Sequence, residues 1–230
     1  MERKRNDLRL PAVLIVIALM ALASCGGSSH KADPAADLAL AKRAVFTVAD
    51  LPGYTAKPHT PDDDLPAGVK NDFAKCMGTS TSIFDDTPGA QKADSPDFSG
   101  GVGGTLSVSD SIEIDPKKSD IDTGWDAISK SGAEPCLGKL FDAAFKAGDP
   151  AEPGVKFGAF KVERFDVGVG DRSVGYSAAV PVSAQGRTAV VYLDLVFVPR
   201  DRAGMDFSFT NVGKAFDRGL EKTLVQKVYD

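Results

Sequence analysis

Histidine, tryptophan and cysteine are scarce in these 230 residues: two, one and three, respectively. A lone domain histidine, His59, leaves little to build a Ser-His-Asp triad or a histidine-rich metal site, and no G-x-S-x-G occurs. Positive charge is also short. The chain is net −5, and residues 25–230 hold 23 basic against 30 acidic side chains, near −7. That excludes a nucleic-acid partner, which needs a basic patch, and a polybasic grip on anionic lipid.

Charge of any sign is missing from one early stretch. Residues 1–9 carry Arg3, Lys4, Arg5 and Arg9, then "LPAVLIVIALMALA" runs fourteen residues from Leu10 to Ala23 without a charge. Fourteen is short for a membrane span, which needs about 20, and suits the apolar region of a signal peptide. The next residues are Ser24 and Cys25. "LASC" resembles the bacterial lipobox, whose cysteine is acylated and becomes the first residue of the mature chain. The competing readings are an uncleaved anchor helix and an unacylated secreted chain. We therefore expect a lipoprotein signal peptide over residues 1–24, a flexible tether over 25–36 ("GGSSHKADPAAD" is small, polar and proline-bearing) and one globular domain over 37–230. The expected location is the extracytoplasmic face of the cell membrane, lipid-anchored.

Two cysteines remain in the domain, Cys76 and Cys136. In an exported chain an even remainder points to a disulfide; two separate buried thiols are the alternative.

The periodicities describe an α+β domain. "DLALAKRAVFTVA" (37–49) has helical spacing and stops before Pro52 and Gly53. "YTAKP" is a short strand, and "VKNDFAKCMG" a short helix closed by Gly78. Residues 79–103 are rich in Ser, Thr, Asp, Gly and Pro and read as a long surface loop. "TLSVSDSIEID" (105–115) alternates, with Leu106, Val108, Ile112 and Ile114 on one side and serines on the other. Helices follow near 119–131 and 134–147. Segments 155–167, 171–184, 187–199 and 203–212 read as strands joined by short turns, hence antiparallel hairpins. The third is apolar on both sides, as a central covered strand is. A last helix puts Phe216, Leu220, Leu224 and Val228 on one stripe. The expected fold is an antiparallel sheet of five to six strands with flanking helices and one disulfide.

"LPGYTA", "FAKCMG", "ADSPDFSG", "PCL", "GDRSVGY" and "VYLDLVFV" stand in this order across residues 51–198. Together they resemble the exported lipoproteins of actinobacteria, whose domain is similar in plan to the extracellular sensor domain of a mycobacterial-type Ser/Thr kinase. The resemblance implies a sheet-and-helix fold with a groove, and binding or sensing at the envelope. It brings no catalytic residues.

The remaining motifs are weak. "GGVGGT" (100–105) precedes a strand, whereas a dinucleotide fingerprint follows one. "DIDTGWD" (120–126) has Trp125 where a calcium loop needs glycine and Ser131 where it needs glutamate. Asp62, Asp63 and Asp64 form a surface charge run. No metal and no cofactor is expected. Asp110 and Asp194 each interrupt an apolar strand face. Such a carboxylate is paired or neutral: either it meets a core arginine such as Arg172 or Arg187, or it anchors a ligand head. Trp125, Tyr176 and Tyr192 are candidate pocket aromatics or plain core. The function expected is non-enzymatic binding or sensing of a small molecule, a lipid or a partner protein. An envelope assembly factor and a carboxylate-based hydrolase are the alternatives.

Overall fold

The computed structural model describes residues 32–60, 65–101, 105–147, 155–184 and 186–230. Cys25, the signal-peptide segment, most of the tether and Asp62 to Asp64 lie outside them. The domain is α+β, with helices on both faces of one antiparallel sheet.

Helix α1 (Pro34–Ala44) starts earlier than the periodicity suggested, because Asp33 caps it and Pro34 suits the first turn. It also stops earlier. Val45 turns extended, and Phe46 dives into the core with its N–H bonded to Asp110. Strand β1 (Thr55–Lys57) and helix α2 (Ala67–Met77) follow, and Gly78 closes α2 in the left-handed conformation at φ 62°.

The segment expected as a loop, 79–103, is partly ordered as strand. After a 3-10 turn (Thr81–Phe84) come β2 (Gln91–Asp94) and β3 (Asp97–Gly100), which pair with the two halves of β4 (Leu106–Ile114). Pro96 separates them. Ser95 repairs the ladder there by accepting the Asp110 N–H on its hydroxyl.

Helices α3 (Lys118–Ile128) and α4 (Glu134–Ala147) lead to β5 (Lys156–Phe157) and β6 (Lys161–Phe165). The single strand expected at 155–167 is thus split, and both pieces pair with β7 (Val174–Ala184). Hairpins then join β7 to β8 (Arg187–Arg200) and β8 to β9 (Ala203–Val212). Helix α5 (Arg218–Tyr229) ends the chain. The described strands number nine rather than five or six, in the order β1-β3-β4-β9-β8-β7-β5, with β2 on β4 and β6 on β7. The extra strands have two to five residues, too short to show a side-chain period.

Alternation along the strands makes two cores. Val108, Ile112, Val196, Phe207 and Phe209 face α1 and α5. Val174, Tyr176, Leu195 and Phe197 face α2 and α4. Of β8, Asp194, Val196 and Val198 are buried on one side and Leu195 and Phe197 half-buried on the other, so the strand is less covered than expected, and Arg187, Thr188 and Ala189 are exposed. The α5 stripe also differs. Leu220 is exposed, and Glu221, Leu224, Val225 and Val228 are buried. Phe216 lies before the helix, whose cap is Asp217, so a stripe counted from Phe216 starts outside the helical turn.

Cys76 on α2 and Cys136 on α4 form a disulfide, with Cα atoms 5.7 Å apart. Phe73, Met77, Leu137 and Phe141 pack around it in one cluster.

Candidate functional site

On the α5 side α1 and α5 pack the sheet, leaving an opening of about 420 Å³ between residues 165–168 and the start of α5. The opposite side is more open. Between the sheet, α3, α4 and residues 82–88 lies a groove of about 940 Å³, at the upper end of the range for small-ligand pockets. Its position follows from the strands. On this face β8 presents Leu195 and Phe197, whereas β4 and β9 present Glu113 and Asp206, which pair with each other's neighbours Gly204 and Ser111. One wall of the groove is therefore apolar and the other acidic.

Trp125, Ala127 and Ile128 of α3 and Leu137, Leu140 and Phe141 of α4 extend the apolar wall. The 3-10 turn forms the rim, held to α2 by the edge-on rings of Phe73 and Phe84, 5.5 Å apart. Trp125 is half-buried, with Arg172 above its ring at 5.5 Å and Arg172 itself tied to Asp122 at 2.8 Å.

The acidic wall centres on Glu113, within β4, and Asp115, just past its last core residue Ile114. Burial first, and then the neighbouring Asp115 carboxyl, push Glu113 up to about 7. Burial also raises Asp115. The pair behaves as two carboxyls sharing a proton. Asp206 is reached by solvent through the groove, yet the protein around it pushes its carboxyl up to about 6.

Of the residues singled out in the sequence, Trp125 lines this groove. Tyr176 is fully buried in the core beneath it, its hydroxyl donating to the Ile128 carbonyl at 2.5 Å. Tyr192 shares a strand side with Asp194 and so projects from the other face. Asp110 and Asp194 also lie on the α5 side, and neither meets Arg172 or Arg187. Asp110 accepts the Phe46 N–H at 3.0 Å, and burial pushes its carboxyl up to about 6. Asp194 is fully buried and pairs with Arg218 at 3.1 Å. His59 bonds Asp97 at 2.9 Å on β3, away from the groove-lining residues. Glu113, Asp115 and Asp206 were not apparent as site residues. Glu113 sits on the serine-bearing side of β4, which reads as a solvent face.

No family model and no curated protein matches the chain. Among solved structures, the extracellular domain of PknH from Mycobacterium tuberculosis is similar at 11% identity and a TM-score of 0.45, over 83% of this chain and 95% of that one. A likeness of that size leaves the site to be argued from its own residues.

Proposed function

We propose that this chain is a cell-envelope lipoprotein, anchored through an acylated Cys25, whose domain is a non-enzymatic module binding a small amphiphilic molecule in the groove. The observation that carries the reading is the uneven cover of the sheet. The face under α1 and α5 leaves about 420 Å³ at the start of α5, while the other leaves about 940 Å³ open between an apolar and an acidic wall. Closing it with side chains would have stabilised the domain by roughly 25 cal/mol per Å² of apolar surface buried. A ligand with an apolar body and a polar end fits both walls. The anchoring half of the reading rests on the charged start, the fourteen-residue apolar run and "LASC". Among the described residues, no helix is long and apolar enough to cross a membrane. Two or more acyl chains on Cys25 would hold the domain at the bilayer.

Photolabelling the full chain in membranes with a neutral, diazirine-bearing long-chain alcohol tests the groove. Labelled peptides are expected to concentrate on residues 121–128, 137–141 and 195–197, and Ile128→Glu should cut that labelling about tenfold. Labelling spread evenly over the surface, or indifferent to Ile128→Glu, would remove the binding reading. For the anchor, Cys25→Ala should move the protein out of the membrane fraction; an unchanged fractionation would remove that half of the proposal.

A further inference from the structure

Helix α1 turns an unusual surface outward. A helix packed on a sheet by one face normally shows polar and charged side chains on the other. From Ala35 onward the exposed positions of α1 hold Ala35, Ala36, Ala39, Leu40, Lys42 and Arg43, with no acid, amide or hydroxyl among them. Leu40 is 50% exposed, and Val48, in the turn that follows the helix, 67%. These are the two most exposed large apolar side chains among the described residues. The turn lies on the same side of the sheet, where Asp50 ties it to Lys227 of α5 at 2.9 Å.

The charge here runs against that of the chain. Residues 25–230 are near −7, yet Lys42 and Arg43 are both exposed and enter no ion pair among the described residues. The acids around them are engaged: Asp33 accepts the N–H groups of Ala35 and Ala36, Asp37 holds Arg202, and Asp50 holds Lys227. A lysine and an arginine in a last turn also suit the helix dipole, but that accounts for neither Leu40 nor Val48. The acidic wall of the groove stands across the sheet from α1. The two sides of the sheet therefore show opposite charge at these places.

We infer that the outer face of α1 and the turn after it lie on the membrane. Leu40 and Val48 enter the boundary between headgroups and acyl chains, and Lys42 and Arg43 meet anionic headgroups. The inference rests on the acylated Cys25 and adds which surface meets the bilayer. Seven residues separate Cys25 from Asp33, the cap of α1. Fully extended, they reach no further than about 28 Å. A domain running from Ala32 to Asp230 is roughly 40 Å across. The start of α1 therefore cannot be carried to the far side of the domain, and α1 stays near the lipid. Two cations are too few for a polybasic grip; they add to the apolar contact and to the anchor. The same placement turns the acidic groove away from anionic lipid, which keeps like charges apart.

A tryptophan at position 40 reads the contact. The full chain carrying Leu40→Trp and Trp125→Phe, purified with its acyl groups, is reconstituted in phosphatidylcholine vesicles with and without about 30% phosphatidylglycerol, and the vesicles are floated before measurement. Lipids brominated high in the acyl chain are expected to quench the emission about twofold, and phosphatidylglycerol to deepen the quenching. Adding Lys42→Glu and Arg43→Glu should remove most of that quenching and all of the phosphatidylglycerol effect, while the protein still floats. A chain that does not float removes the anchor and this inference together. A chain that floats with its tryptophan unquenched by brominated lipid and open to aqueous acrylamide overturns the inference and leaves the anchor standing. Shielding from acrylamide without quenching by lipid also overturns it, because a second copy or another protein would then cover α1. Quenching indifferent to phosphatidylglycerol and to the charge reversals overturns the part given to Lys42 and Arg43. Should Trp125→Phe disturb the fold, Leu40→Trp alone is read as the difference from the parent.

Discussion

Serine at both Cys76 and Cys136 lowers the melting temperature of the domain by roughly 8–16 °C. The bond closes a loop of 60 residues. Freeing a loop of that length returns roughly 4 kcal/mol of entropy to the unfolded chain, and each kcal/mol moves the midpoint of a domain this size by about 2–4 °C. The loss has a local component too. Helix α2 buries Phe73, Ala74 and Met77, and its main partner is α4. Without the bond it loses its one covalent tie to that helix, so α2 and the 3-10 turn packed on it should lead the unfolding. Thermal melts of the oxidised protein and the double variant, with hydrogen exchange over residues 67–84, check both parts. A midpoint within about 2 °C of the parent would show that packing alone holds α2.

Arg218→Ala costs about 1–3 kcal/mol near pH 8: the two carboxylates it leaves are buried, but the guanidinium itself is 42% exposed and water screens the pair. The guanidinium lies over the Phe165 ring, 3.4 Å from its centroid, and serves two carboxylates at once. Asp194 is fully buried in β8, and Glu221 is 1% exposed one turn further along α5. Burial already pushes Glu221 up to about 7 against the pull of Arg218. Removing the arginine raises it further, so the variant escapes part of its penalty by taking up a proton. The gap between the parent and Arg218→Ala should therefore be widest near pH 8 and shrink toward pH 5. Chemical denaturation at the two pH values measures it. A constant gap would mean that Arg218 acts through its packing on Phe165 rather than through its charge.

Much of this could be read from the chain because the longer strands repeat their pattern for long enough. The alternation of β4 gave its core side, and the turn signals gave the β7–β8–β9 meander. Gly78 gave the end of α2, and the parity of the two domain cysteines behind an export-like N-terminus gave the disulfide. What escaped was short or distant. The four-residue strands β2 and β3 are held by backbone pairing to β4, and backbone pairing leaves no mark in composition. The partner of Asp194 is an arginine on the terminal helix, and that of Asp110 is a backbone N–H sixty-four residues away. Neither contact exists until the sheet is assembled. The carboxyls of the groove were hidden differently. Glu113 and Asp206 stand on strand sides carrying serine and threonine, the composition of a surface exposed to water. Whether such a side meets bulk solvent or the inside of a groove depends on what α3 covers.

The sheet also bears on how the molecule survives in company. Neither of its margins offers a long, straight strand. Among the described residues one is finished by β1 and β2, three and four residues long, and the other by the fragments β5 and β6, of two and five residues. Between those fragments Gly158 turns its N–H inward to the carbonyl of Pro181, and Pro181 has no N–H to offer. A foreign strand would find two or three backbone groups in register and then a break. Open β-edges recruit other chains into aggregates. If Cys25 is acylated as proposed, copies held on a two-dimensional membrane would meet far more often than copies free in solution, and broken margins of this kind would keep those meetings from becoming permanent.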